Sequence, residues 1–147
     1  MKSILALSFV LLFCVVTIAQ TTSISAGFLL APQAGMVLKN PGDGLKSSIP
    51  IFIQMSVKKD ILNITPFYGL TGNAIGGSVE INILSLTGVY LVANKCILNK
   101  DTYTGIGITR NIDDDKAQMF VEVGVPNKQP LKIFIGVFIP LMQKITQ

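Results

Sequence analysis

The chain has 147 residues, half of them hydrophobic, only 14% charged, with two cysteines and no histidine. Without histidine there are no His-based triads and no His-containing zinc sites, and no Ser-Lys or paired-carboxylate arrangement stands out, so an enzyme is not expected and no cofactor is implied. The net charge of +4 is spread over scattered lysines, with only Lys58 and Lys59 adjacent, which is not the basic stripe of a nucleic-acid binder.

Residues 1–19 read as a secretory signal: Lys2 supplies the basic end, Ile4 begins an apolar run that reaches Val16, and Thr17-Ile18-Ala19 is a small-x-small cleavage site. Cys14 leaves with that segment. Residues 20–147 then form a single domain whose lone Cys96 cannot make an internal disulfide and is expected as a small buried hydrophobe.

The rest of the chain is a series of period-two combs, the signature of strands that show one face to each side. Ile24, Ala26, Phe28 and Leu30 mark a first strand. Residues 31–48, rich in Pro, Gly, Asn and Ser, are expected to be an extended loop with a strand extension at 36–38. Ile49, Ile51, Ile53, Met55 and Val57 mark a second strand, and Leu62, Ile64, Tyr68 and Leu70 a third, where Pro66 predicts a bulge or irregular pairing. Val79, Ile81 and Ile83 follow in a fourth, residues 89–96 form a fifth, and Thr104, Ile106 and Ile108 lie in a sixth.

The last two combs are the most regular. Met119, Val121, Val123 and Val125 face one way on one strand, and Leu131, Ile133, Ile135, Val137 and Ile139 on the next. Eight strands and no amphipathic helix make the chain all-β, an antiparallel up-and-down barrel.

Two surroundings compete for the aliphatic combs: the core of a soluble exported barrel or sandwich that binds an apolar ligand or partner protein, or the lipid face of a transmembrane barrel. The faces opposite the combs favour lipid. They carry glycine, serine, asparagine and phenylalanine but few charges, whereas a water-facing sheet is rich in Lys and Glu. The strands run about 8 to 10 residues, near the ~9–11 needed to cross a bilayer at a tilt. An even strand number leaves both termini on one side, which the export signal makes the periplasm.

Glu122 and Lys132 lie on the same face of adjacent strands. If Val125 opposes Leu131 they are diagonal neighbours, so they are expected to pair inside the lumen, joined by Glu80, as a structural ion-pair network. The run Asp113-Asp114-Asp115 lacks the spaced ligands of a calcium loop and reads as a solvated turn. Lys39 and Lys46, in the long segment after the first strand, are candidates for outward contacts with lipopolysaccharide phosphates.

In pattern the chain resembles the small eight-stranded outer-membrane barrels of Gram-negative bacteria, the class of the OmpA transmembrane domain and OmpX. The final strand carries the most specific part of the likeness: Gly136 is followed by Ile139 and Leu141 at the offsets of a barrel-assembly signal, while Phe134 stands where a polar residue is usual. The resemblance implies a non-enzymatic outer-membrane protein with a structural, envelope-integrity or surface-interaction role. Its implied partners are outer-membrane lipid and the barrel-assembly machinery.

Overall fold

A computed structural model describes residues 22–37, 44–84, 86–113, 116–127 and 129–146. The signal segment, Lys39 and Asp114-Asp115 lie outside these residues. Ten strands follow one another along the chain: β1 (Ser23–Leu30), β2 (Gln33–Val37), β3 (Lys46–Ser48), β4 (Ile51–Lys59), β5 (Leu62–Gly69), β6 (Ala74–Leu84), β7 (Thr87–Cys96), β8 (Thr102–Asp113), β9 (Ala117–Pro126) and β10 (Lys132–Thr146). From β4 to β10 each strand pairs antiparallel with the next, and β10 returns to β1, so the sheet closes on itself.

Ten strands make eight staves. β10 pairs with β2 through Lys132 to Gly136 and with β1 through Leu30 opposite Ile139, in a single register, so β1 and β2 are one stave interrupted at Ala31-Pro32. β3 precedes β4 in the same way across Ile49-Pro50. The sequence-based expectation of an extended loop at 31–48 is therefore corrected. Pro32 and Pro50 cannot donate to a ladder, which breaks each stave without ending it.

At Pro66 the expected irregular pairing occurs, without a bulge. No register shift accompanies it, and it pairs in step with Gly77 of β6. On the other side, Met55 and Ser56 are missing from the β4–β5 register opposite Thr65 and Pro66. The pairing is interrupted there rather than bulged.

The two ends of the barrel differ. One end holds Ser23, Thr146 and connections of two or three residues (60–61, 85–86, 114–116), and the other holds connections of four to eight (38–45, 70–73, 97–101, 127–131). We term these the turn end and the loop end. In the shortest connection, Asp60 takes a φ of 52°, a left-handed conformation that Asp tolerates better than most residues.

The stagger of the staves sets the interior. Starting at Ser23 and stepping from partner to partner through Lys58, Asn63, Glu80, Tyr90, Gly107, Glu122 and Phe134, the path returns to the first stave at Gly35, twelve residues above its start. The eight-stranded TIM barrel has a stagger of eight. A larger stagger tilts the strands further and widens the barrel, so side chains must fill a broader lumen.

The faces divide as the combs predict. Ile75, Ile81, Leu91, Ile106, Ile108, Val121 and Ile135 point outward and are exposed, Ile108 at 55% and Val121 at 47%. Inside lie Gln54, Thr65, Glu80, Tyr90, Thr109 and Phe120, all buried. Phe120 stacks on Phe138 with ring centroids 4.1 Å apart, Tyr90 meets Phe138 edge-on, and Phe52 packs against Phe67 at 5.1 Å. The interior is polar and aromatic, and the exterior is aliphatic.

Candidate functional site

The chemistry-bearing groups gather in the lumen. Alternation along each strand sends Asn63, Glu80, Tyr90, Thr109 and Glu122 inward, onto a cavity of about 880 Å³ that they help to line. Its wall is rich in amides and hydroxyls, among them Ser56, Asn82, Asn111 and Gln118.

Glu80 and Glu122 anchor separate hydrogen-bond networks. Thr109 Oγ1 donates to Glu80 Oε1, and Asn63 Nδ2 donates to Glu80 Oε2 at 3.3 Å. Ser56 Oγ in turn donates to Asn63 Oδ1 at 2.6 Å. Glu122 is held by two phenols: Tyr90 Oη donates to Oε2 at 2.6 Å and Tyr103 Oη donates to Oε1. Such bonds to a charged acceptor are stronger than neutral ones. Among the described residues no buried side-chain nitrogen or oxygen lacks a partner.

Glycines make the phenol network possible. A Cβ at Gly107 would run into the Tyr90 ring, and one at Gly124 into the Tyr103 ring. Each ring lies across a neighbouring strand at a position where any other residue would lift it away from Glu122. Gly107 and Gly124 thus admit bulky neighbours inside the barrel.

The expected pairing of Glu122 with Lys132 is not formed among the described residues. The register is the one the turn predicts, with Lys132 opposite Gly124 and Phe134 opposite Glu122. The diagonal between them is nevertheless occupied: the Tyr103 ring lies over Gly124, and it meets the Phe134 ring edge-on with centroids 6.1 Å apart. Two aromatic rings therefore fill the patch of sheet that the Lys132 side chain would have to cross. Glu80 does not join Glu122 either; it is satisfied on its own side by Asn63 and Thr109.

Lys46 lies in β3 at the loop end, exposed and opposite Gly35. Cys96 is half-buried, and its Sγ donates to the Gly72 carbonyl at 3.4 Å. No group of three or more metal-ligating side chains occurs among the described residues. Sequence pattern points to both carboxylates but not to their partners Asn63, Tyr90, Tyr103 and Thr109. The signal available was parity, since each shares the inward face with its neighbours two positions away.

No family model matches the chain, and no curated protein matches it. Among solved structures it is similar to the KdgM porin in complex with disordered oligogalacturonate, at 12% identity and a TM-score of 0.49 over 77% of this chain and 99% of that one. It is also similar to the de novo designed TMB2.3, at 15% identity and a TM-score of 0.47 over 88% and 99%.

Proposed function

We propose that this chain is a non-enzymatic outer-membrane β-barrel with a structural, envelope-integrity or surface-interaction role. The observation that carries this reading is the inversion of its two faces. Aliphatic side chains cover the outside of a closed barrel, and the polar groups, including Glu80 and Glu122, turn inward and bond to one another. A ten-residue strand rising about 3.3 Å per residue and tilted about 40° spans about 25 Å, the height of the apolar band on such barrels.

The competing reading is a soluble exported barrel that binds an apolar ligand or a partner protein. It would leave Ile75, Ile81, Leu91, Ile106, Ile108, Val121 and Ile135 in water together. Soluble monomers rarely expose an apolar patch beyond about 300–600 Å².

On the membrane reading, residues 1–19 direct export, and the assembly machinery reads the end of β10, where Gly136, Ile139 and Leu141 stand. The turn end then faces the periplasm, consistent with its short connections, and the loop end faces outward. Lys46, with Lys39, would meet lipopolysaccharide phosphates there.

Membrane fractionation with heat-dependent gel mobility tests the proposal. The expected result is a detergent-extractable protein that runs faster unheated than boiled. Folded protein released to the soluble fraction without detergent overturns it.

A further inference from the structure

The lumen forms a cup that opens at the turn end. Its lining reaches the turn end at Lys58, Asp60, Ile61 and Leu84, all exposed. Toward the loop end the last lining side chains include Gln33, Phe52, Phe67, Asn94, Tyr103 and Phe134, while the inward positions Gly69, Ala74, Cys96 and Lys132 do not line it. Phe52 pairs edge-on with Phe67, and Tyr103 with Phe134.

Two carboxylates stand on the walls of this cup. Glu80 is on β6 and Glu122 on β9, three staves apart in a barrel of eight, and both line the cavity. All four of their hydrogen bonds come from neutral donors: two phenols, a hydroxyl and an amide. No lysine or arginine among the described residues forms an ion pair with either one. The mouth adds Lys58 and Asp60, one charge of each sign, and Lys132 does not line the cup. Among the described residues, the charged groups lining the cup are three carboxylates, Asp60, Glu80 and Glu122, against the single Lys58 at its mouth.

We propose that the lumen is a cation-binding cup: it takes up small cations from solution, metal or ammonium-type, between Glu80 and Glu122, and excludes anions. A cavity lined by one sign of charge within low-dielectric walls concentrates counter-ions. The amide and hydroxyl wall supplies oxygen ligands in place of water. The proposal concerns the lumen alone and holds whether lipid or water meets the exterior.

The protein's own fluorescence tests it. The chain has no tryptophan and three tyrosines, of which Tyr90 and Tyr103 line the cup. A Tyr68→Phe background makes these two the sole emitters. The full chain is folded in a non-ionic detergent, and quenching by thallous ion is compared with quenching by iodide, each relative to free N-acetyltyrosinamide. At low salt thallous ion should quench about tenfold more strongly than iodide, with the preference fading as salt is added. Glu80→Gln with Glu122→Gln should bring the ratio close to one. Should that pair of changes prevent folding, Gln118→Glu, which adds a carboxylate to the same wall, should raise the ratio. Equal quenching by the two ions in the Tyr68→Phe protein, a ratio that survives loss of both carboxylates, or no response to Gln118→Glu overturns the proposal.

Discussion

The two faces of this sheet follow opposite rules. On the outside each residue stands alone: Ile108, Val121 and Ile135 sit side by side in register, and any aliphatic of similar size would serve. On the inside residues depend on one another, since Tyr90 reaches Glu122 only because Gly107 has no side chain beneath it. The difference teaches where specificity is stored. The outer face specifies a solvent, and the inner face specifies one arrangement.

The largest effect should come from placing a charge on the outer face at mid-strand. Ile108→Arg puts a guanidinium near the centre of the apolar band. On a lipid-facing surface this costs about 2–4 kcal/mol, measured as a lowered midpoint in urea refolding into lipid vesicles. At a position already 55% exposed, the same change in water would be nearly neutral. A shift under about 0.5 kcal/mol would erase the contrast between the faces.

A change on the inner face should act differently. Gly107→Val leaves the charge unchanged but puts an aliphatic side chain in the place of the Tyr90 ring. The ring must leave, its hydrogen bond to Glu122 is lost and the neighbouring Phe138 contact loosens. Overpacking of this kind costs about 1–3 kcal/mol. Double-mutant analysis with Tyr90→Phe should show strong coupling, because both substitutions remove the same bond. Additive effects would mean that Gly107 matters only for its own strand.

The same asymmetry governs what could be read from the residues. The outer face was legible because a strand repeats every two residues and Val79, Ile81 and Ile83 need no knowledge of their neighbours. Strand order, the register of the β9–β10 hairpin and the inward placement of Glu80 and Glu122 follow from the same local pattern. The broken staves are harder to read, since Pro32 looks like a loop residue until β10 is seen to run past the break. Hardest was the phenol network. Tyr90 and Glu122 are 32 residues apart, and their meeting depends on the barrel's stagger and on a glycine in the strand between them. No local window contains those facts.

The smallest predicted effect bears most directly on the inner face. From spacing alone, Lys132 and Glu122 should pair, and Lys132→Met should then impair folding by leaving a carboxylate without its partner. With both oxygens of Glu122 already bonded to phenols, and with Tyr103 and Phe134 filling the diagonal, Lys132 contributes no ion pair to lose. Lys132→Met should shift refolding stability by no more than about 0.5 kcal/mol. Tyr103→Phe, which deletes one donor to Glu122 and leaves the ring in place, should cost more, about 1.5–3 kcal/mol for a bond to a charged group. The ranking of these two variants separates the two accounts: a lysine that outweighs the phenol would restore the ion pair, and a phenol that outweighs the lysine assigns the charge of Glu122 to hydrogen bonding.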